Sequence, residues 1–219
     1  MPVEITGATV NADPLYHGHP LSRQADHVQC RVEVTGPVMR FTETKIAGVV
    51  LVEPDVFADQ RGLFAVAWMP EEFAARGLDT RIAQGSLALT RRRGSIRGLH
   101  YQAAPFEEAK VIRAVRGGVF DVAVDLRRDS PTFLQWVSAE LTADNRRIMY
   151  IPPGCAHGYQ TLADDTEVFY FVSAPYSPPH QRGVRWNDPA FAIDWPLGSP
   201  TSIHERDATY PDFGPAVVR

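Results

Sequence analysis

Hydrophobic and polar residues alternate along much of the chain, a pattern that is typical of β-strands with one buried face. In segment 119–127, VFDVAVDLR, one face carries the apolar side chains Phe120, Val122, Val124 and Leu126. Asp121 and Asp125 fall on the other face. Similar short segments, separated by glycine and proline turns, recur at 46–52, 86–90, 110–116, 132–141, 148–151 and 166–172. This spacing predicts an all-β fold, an antiparallel sandwich or barrel.

Glycine and proline positions predict how these strands connect. Gly117-Gly118 is predicted to be the two-residue turn of a hairpin between strands 110–116 and 119–127. Segment 70–77, PEEFAARG, predicts a short helix, because proline and acids occupy its first turn and glycine ends it. After Tyr176 the pattern becomes irregular. Such a tail is typical of a segment that wraps over the mouth or edge of a barrel and carries site residues.

The size and composition suit one globular domain with an added arm. The chain has 219 residues, of which 44% are apolar and 22% charged. Residues 1–44 show no sustained period and are predicted to be an N-terminal arm or extra strands, whereas 45–219 form the main domain with a C-terminal wrapping segment. His17 and His19 form an HxH pair that we interpret as an exposed loop, because no third metal ligand lies nearby in sequence.

Charge and hydropathy exclude two classes of partner. The net charge of −4 argues against a nucleic-acid-binding domain, which usually carries a basic surplus. No apolar run approaches the roughly 20 residues that span a bilayer. The first residues, MPVEITGATVNADP, lack the basic and apolar regions of a signal peptide. We therefore expect no membrane partner and a cytoplasmic location. Of the two cysteines, Cys30 and Cys155, the second is interpreted as a buried structural thiol.

Two stretches carry the candidate chemistry: RGLHYQAAPFEEAK (97–110) and IPPGCAHGY (151–159). Each contains a histidine near a glycine, and both are predicted to present ionisable groups into a cavity from a rigid sheet. Strand alternation would place Arg97 and His100 on opposite faces. A shared pocket for both therefore requires a twist, a bulge or a strand end near Gly98.

The basic run Arg91-Arg92-Arg93 has two interpretations that the sequence leaves open. One is a solvated hairpin tip. The other is recognition of a diphosphate, for which guanidinium groups are well suited. Arg97, closer to the histidine, is the stronger phosphate candidate.

The segment Pro152-x-Gly154-x-x-His157 resembles the second motif of the cupin family, whose members are jelly rolls. The first cupin motif supplies an HxH pair and a glutamate to a metal, but here it is His100-Tyr101-Gln102. Because ligands are missing, a metal site is disfavoured, and we expect no metal and no cofactor.

A longer resemblance, over about residues 46–210, is to the dTDP-4-dehydrorhamnose 3,5-epimerase family of the cupin fold. It is carried, in chain order, by RGLHYQ (97–102), Lys110, GGVFDVAVDLRRDSPTF (117–133), IPPGCAHGY (151–159) and WNDP (186–189). The resemblance implies an all-β cupin-type jelly roll with few short helices. It also implies a dTDP-linked 4-keto-6-deoxy sugar as substrate, inverted at C3, C5 or both through an enolate.

The resemblance further implies roles for individual residues. His100 corresponds to the base, Asp207 to its partner, Lys110 to the cation that stabilises the oxyanion, and Tyr170 to the acid. The corresponding substrate-binding residues are Arg61, Phe64, Gln84, Arg97, His157, Tyr176 and Arg206. Family habit and exposed sheet edges suggest a homodimer.

Two departures from the family pattern fall on binding residues. The expected Q-D-N-x-S segment is Gln84-Gly85-Ser86, and neutral Gln181 stands near an expected glutamate. The nucleotide, the sugar and the number of inverted centres therefore stay open. Two other functions also stay open: a metal-dependent cupin enzyme such as a dioxygenase or sugar isomerase, and a non-catalytic sugar-nucleotide-binding cupin.

Overall fold

A computed structural model describes residues 38–214. Within this range the strands are β1 (Met39–Glu43), β2 (Val50–Pro54), β3 (Val56–Asp59), β4 (Gly62–Ala65), β5 (Gln84–Thr90), β6 (Ile96–Gln102), β7 (Lys110–Arg116), β8 (Gly118–Asp125), β9 (Trp136–Thr142), β10 (Ile148–Ile151), β11 (Cys155–Thr161), β12 (Thr166–Val172) and β13 (Gln181–Gly183). The helices are α1 (Pro70–Ala74), α2 (Glu205–Ala208) and a 3-10 turn at Pro178–His180. None of these helices is long and apolar enough to cross a membrane.

The strands form two antiparallel sheets and a separate hairpin. The larger sheet has the order β1-β2-β10-β7-β12-β5, and the smaller has the order β13-β6-β11-β8-β9. Strands β3 and β4 pair only with each other. Apart from β1–β2 and β8–β9, neighbours within each sheet are not consecutive in the chain, as in a jelly roll. The predicted all-β jelly-roll class is therefore confirmed.

Apolar side chains cover both faces of the smaller sheet. One core cluster contains Ile112, Met149 and Val168 of the larger sheet together with Val119 and Ala123 of β8. A second cluster contains Val122 and Val124 of β8, Leu99 of β6, and Phe191, Ile193 and Trp195 of the C-terminal segment. The alternation of β8 was predicted correctly, but its second face is also buried. Asp121 and Asp125 are consequently fully buried rather than solvated.

The predicted hairpin at Gly117-Gly118 is wrong. Strand β7 pairs with β10 and β12, whereas β8 pairs with β9 and β11, so the two glycines carry the chain from one sheet to the other. Gly117 has a φ of +65°, and a Cβ there would lie 2.5 Å from Thr166 Oγ1. Left-handed backbone and close packing therefore both require glycine at this crossover.

The C-terminal segment packs on the smaller sheet. It supplies the buried residues Val184, Phe191, Ile193 and Trp195 to the second cluster and continues to α2. Helix α1 is shorter than the predicted 70–77, but Gly77 follows it with a φ of +72°. Strand β1, from the part of the chain predicted as an arm or extra strands, is the edge of the larger sheet. The prediction for His17 and His19 falls outside the described residues, as does Cys30.

Asp125 ends β8 and organises the loop that follows. Its carboxylate accepts hydrogen bonds from Arg127 Nε at 2.8 Å, Ser130 Oγ at 2.5 Å and Thr132 Oγ1 at 2.7 Å. Burial opposes ionisation, but the hydrogen bonds from Arg127, Ser130 and Thr132 outweigh it and lower the pKa of Asp125 to about 2. This loop fixes Arg127 beside Gly154, where the chain enters β11.

We predict that Asp125→Asn lowers the free energy of unfolding by about 2 kcal/mol at neutral pH. Because the folded-state pKa lies below the unfolded value of 3.8, this stability is present above pH 3.8 and is lost as the pH falls through about 2. Urea unfolding of wild type and variant across that range measures the difference. The same replacement at exposed Asp129 is the control. A difference that stays constant down to about pH 2 would refute the assignment.

Candidate active site

A cavity of about 750 Å³ lies between the sheets and the C-terminal segment. Seven of the predicted site residues line it: Arg97, His100, Lys110, His157, Tyr170, Arg206 and Asp207. Further lining residues include Arg91, Arg92 and His204. The fold therefore gathers all four predicted catalytic side chains at one site.

The two sheets supply different kinds of chemistry. His100 on β6 and His157 on β11 come from the smaller sheet, where they are directly opposite each other in the strand pairing. Lys110 on β7 and Tyr170 on β12 come from the larger sheet, on neighbouring strands. A ligand in the cavity would therefore meet imidazoles from one sheet and an ammonium and a phenol from the other.

Two glycines bring β6 and β11 unusually close. Gly98 has a φ of +113°, and a Cβ there would lie 2.6 Å from both Gly158 Cα and the His157 carbonyl oxygen. The pairing of the two strands shifts register between His157 and Tyr159. Arg97 and His100 both line the cavity as a result. The irregularity predicted near Gly98 is confirmed.

His100 and Asp207 form a hydrogen-bonded pair although 107 residues separate them. The distance from His100 Nε2 to Asp207 Oδ1 is 2.8 Å, and the other carboxylate oxygen accepts the Gly98 N–H at 3.1 Å. Burial raises the pKa of Asp207, but the His100 hydrogen bond and charge, the Gly98 N–H and Arg206 outweigh it, so the pKa is lowered. Because the bonded nitrogen is Nε2, Nδ1 is the nitrogen left for other chemistry.

A second pair of the same kind joins His157 to Asp121, at 2.8 Å between Nε2 and Oδ1. Asp121 is fully buried, and its Oδ2 has no hydrogen-bond partner among residues 38–214. No local pattern indicates this role, because in the sequence Asp121 is only a polar position on one face of an alternating strand. The β8–β11 register, which pairs Asp121 with Tyr159, brings it beside His157.

Lys110 is nearly buried and forms an ion pair with Glu108, which the sequence predictions also missed. Glu108 in turn accepts a hydrogen bond from Gln102 Nε2 at 3.0 Å. Asp121 and Glu108 were not predicted as site residues. Each forms an ion pair with one that was: Asp121 with His157, and Glu108 with Lys110.

The basic run at 91–93 divides between the cavity and the surface. Arg91 and Arg92 line the cavity and Arg93 does not. Arg91 pairs with Asp165 at 2.9 Å, and Arg93 donates to the Leu162 carbonyl at 3.0 Å. Arg97 is held by Thr90 Oγ1 at 2.9 Å and the Leu89 carbonyl at 3.0 Å. Its fixed guanidinium and the neighbouring arginines give this end of the cavity a positive charge.

Four predicted binding residues do not line the cavity. Arg61 and Phe64 lie on the exposed β3–β4 hairpin. Gln84 begins β5 and donates to Ser86 Oγ at 2.8 Å. Tyr176 is exposed, but its hydroxyl donates to Gln181, a lining residue whose amide oxygen also accepts from Arg206 at 3.1 Å. Tyr176 therefore belongs to the rim.

The described residues offer few side chains arranged to bind a metal ion. Among residues 38–214, no three or more histidine, cysteine, aspartate and glutamate side chains form a group suited to a metal. Gln102, at the position of the second cupin histidine, uses its amide for hydrogen bonds to Phe106, Glu108 and Pro175. Cys155 is buried, and burial raises the pKa of its thiol to about 12. Its interpretation as a structural thiol is confirmed.

The fold and cavity together define a cupin-type protein whose acid–base side chains converge between two sheets. Comparison with known proteins narrows this class. Residues 43–214 match the family model of dTDP-4-dehydrorhamnose 3,5-epimerase. The chain belongs to that family.

Individual relatives agree with this assignment. The dTDP-4-dehydrorhamnose 3,5-epimerase of Sinorhizobium fredii is 42% identical over 80% of this chain and 90% of its own. The Bacillus anthracis dTDP-4-dehydrorhamnose 3,5-epimerase, solved with TDP and PPi bound, superimposes with a TM-score of 0.77 at 39% identity, over 80% and 99% of the two chains. A 3'-monoepimerase of Streptomyces bikiniensis, solved with dTDP-quinovose, gives 0.72 at 33% identity, over 77% and 85%.

Proposed function

We propose that the protein epimerises a 4-keto-6-deoxyhexose carried on dTDP. The observation that carries the proposal is the placement around one cavity of His100, on the smaller sheet and paired with Asp207 of α2, and of Tyr170 and Lys110, on the larger sheet. Inversion of a carbon centre requires removal of a proton from one face and its return to the other. A cavity walled by a base and an acid from opposite sheets meets that requirement.

The chemistry follows from the ketone at C4, which acidifies the C–H bonds at C3 and C5. His100 takes the proton, the electron pair of the broken C–H bond forms a double bond to C4, and the π electrons of the C4 carbonyl move onto its oxygen to give an enolate. Asp207 fixes the imidazole tautomer and stabilises the imidazolium that forms. The Lys110 ammonium stabilises the negative oxygen. Tyr170 then gives a proton to the opposite face, and solvent restores both groups.

The remaining side chains suit the rest of the substrate. Arg97, with Arg91 and Arg92 at the same end of the cavity, would bind the diphosphate. His157, held by Asp121, would contact the sugar. Arg206, Gln181 and Tyr176 form a hydrogen-bonded series at the rim, where the nucleoside would leave the cavity.

Arg61 and Phe64 fit this function if the protein is a homodimer. Their hairpin exposes Val56, Phe57, Leu63 and Phe64, each by 36% or more. An isolated two-stranded hairpin is at best marginally stable in water. We propose that the hairpin packs on a second copy and brings Arg61 and Phe64 toward the nucleotide in that copy's cavity.

We predict that His100→Ala abolishes exchange of solvent deuterium into C3 and C5 of dTDP-4-keto-6-deoxyglucose, a loss of at least about 100-fold. The base is removed, whereas the diphosphate contacts are untouched. Mass spectrometry of the recovered sugar measures exchange, and calorimetric titration with dTDP is the control. Exchange at a near wild-type rate would disprove the base assignment.

In the wild type, label at one carbon or at both separates a single from a double epimerase, and chelator treatment should leave the rate unchanged.

Tyr170→Phe should slow net inversion by about 100-fold while slowing wash-in of deuterium much less. The variant retains the base but lacks the proton donor for the opposite face. Deuterium incorporation is compared with product formation, which is followed by chromatography of the two epimers. Equal slowing of the two processes would contradict the role of Tyr170.

Leu63→Asp should convert the proposed dimer into a monomer and weaken dTDP binding about tenfold or more. The charge would be buried in the interface that the hairpin forms. Sedimentation velocity gives the oligomeric state, and Ile82→Asp, at a position 44% exposed outside the hairpin, is the matched control. A wild-type monomer, or a variant dimer with unchanged binding, would refute the homodimer proposal.

A further inference from the structure

Lys110 of the cavity has a nearly buried partner that does not line the cavity itself. Lys110 Nζ donates to Glu108 Oε1, and the two side chains are only 10% and 9% exposed. Lys110 lines the cavity, but Glu108 does not. A nearly buried charge is costly unless it is paired, so each of these groups needs the other.

Glu108 is itself fixed by the strand that carries the proposed base. Its second oxygen accepts the Gln102 Nε2 hydrogen bond at 3.0 Å. Gln102 lies two residues after His100 on β6, on the same side of that strand. The carboxylate therefore joins β6 of the smaller sheet to Lys110 of β7 in the larger sheet.

Gln102 has little freedom to move. Its Nε2 also donates to the carbonyl oxygens of Phe106, at 3.0 Å, and Pro175, at 3.2 Å. Its Oε1 accepts the Ser177 N–H at 2.6 Å, and the residue is only 4% exposed. The side chain that replaces a metal-ligand histidine of the cupin motif is thus a rigid anchor for Glu108.

We propose that Glu108, anchored by Gln102, is a positioning residue that fixes the Lys110 ammonium across the cavity from His100. The expected effect on turnover rests on the proposed function, whereas the fixed position of Lys110 rests on the contacts alone. An ammonium group held at a fixed distance from the base stabilises the enolate oxygen only if it lies where that oxygen forms. Without Glu108, the Lys110 side chain has several rotatable bonds and no charged partner in the contacts above.

Lysine acetylation tests the structural part without substrate. The chain has two lysines, Lys110 and the exposed Lys45, so Lys45 is an internal reference for reagent and conditions. With an N-hydroxysuccinimide acetate and peptide mass spectrometry, we expect Lys110 to react at least about tenfold more slowly than Lys45. Glu108→Gln should raise the Lys110 rate about tenfold and leave the Lys45 rate unchanged.

The neighbouring Glu107 is the matched control, because it has the same charge but is exposed. Glu107→Gln should leave both lysine rates at the wild-type value. Glu108→Asp keeps the charge and should restore most of the protection, which separates loss of the ion pair from general unfolding. Circular dichroism confirms that each variant is folded. An unchanged Lys110 rate in folded Glu108→Gln overturns the proposal.

Turnover tests the kinetic part through a double-mutant cycle. Glu108→Gln should lower kcat about tenfold with KM changed less than about twofold. In a Lys110→Met background the same replacement should cause no further loss, because Glu108 acts through Lys110. A loss that persists in that background overturns the proposal. If the wild type protects Lys110 but shows no epimerase turnover, the proposed function fails and the positioning role stands.

Discussion

The buried carboxylate of Asp207 is the group on which the site depends. It comes from α2, at the far end of the chain, and is almost fully excluded from water. A charge in that position is tolerated because His100, the Gly98 N–H and Arg206 surround it. The same contacts fix the imidazole and attach the C-terminal segment to the smaller sheet. Packing and chemistry therefore share one set of hydrogen bonds.

Two other ionisable side chains of the cavity are held in the same way, each by a carboxylate. His157 is held by Asp121 and Lys110 by Glu108, so three side chains of the cavity each have a buried carboxylate partner. Arg91, Arg92 and Arg97 line the same cavity and add positive charge to it. A chain with a net charge of −4 can thus present a cationic site to an anionic substrate.

The close contact of β6 and β11 sets the geometry between these groups. Because Gly98 and Gly158 have no side chains, the two strands approach at the level of the histidines, and the register shift turns Arg97 toward the same cavity. Lys110 and Tyr170 sit on adjacent strands of the facing sheet. The separation of His100 from Tyr170 is therefore set by the packing of the two sheets and not by any one loop.

The sequence by itself determined the strand pattern, the all-β class and, through a family resemblance, the seven side chains that line the cavity. Alternation and glycine turns are local signals, and a sequence motif can be matched without knowing how the chain folds. Only the tertiary structure decided that Gly117-Gly118 crosses between sheets, that both faces of β8 are buried, and that Asp121 and Glu108 hold His157 and Lys110. These outcomes depend on which distant strands pair and in what register, and no local pattern of hydrophobic and polar residues carries that information.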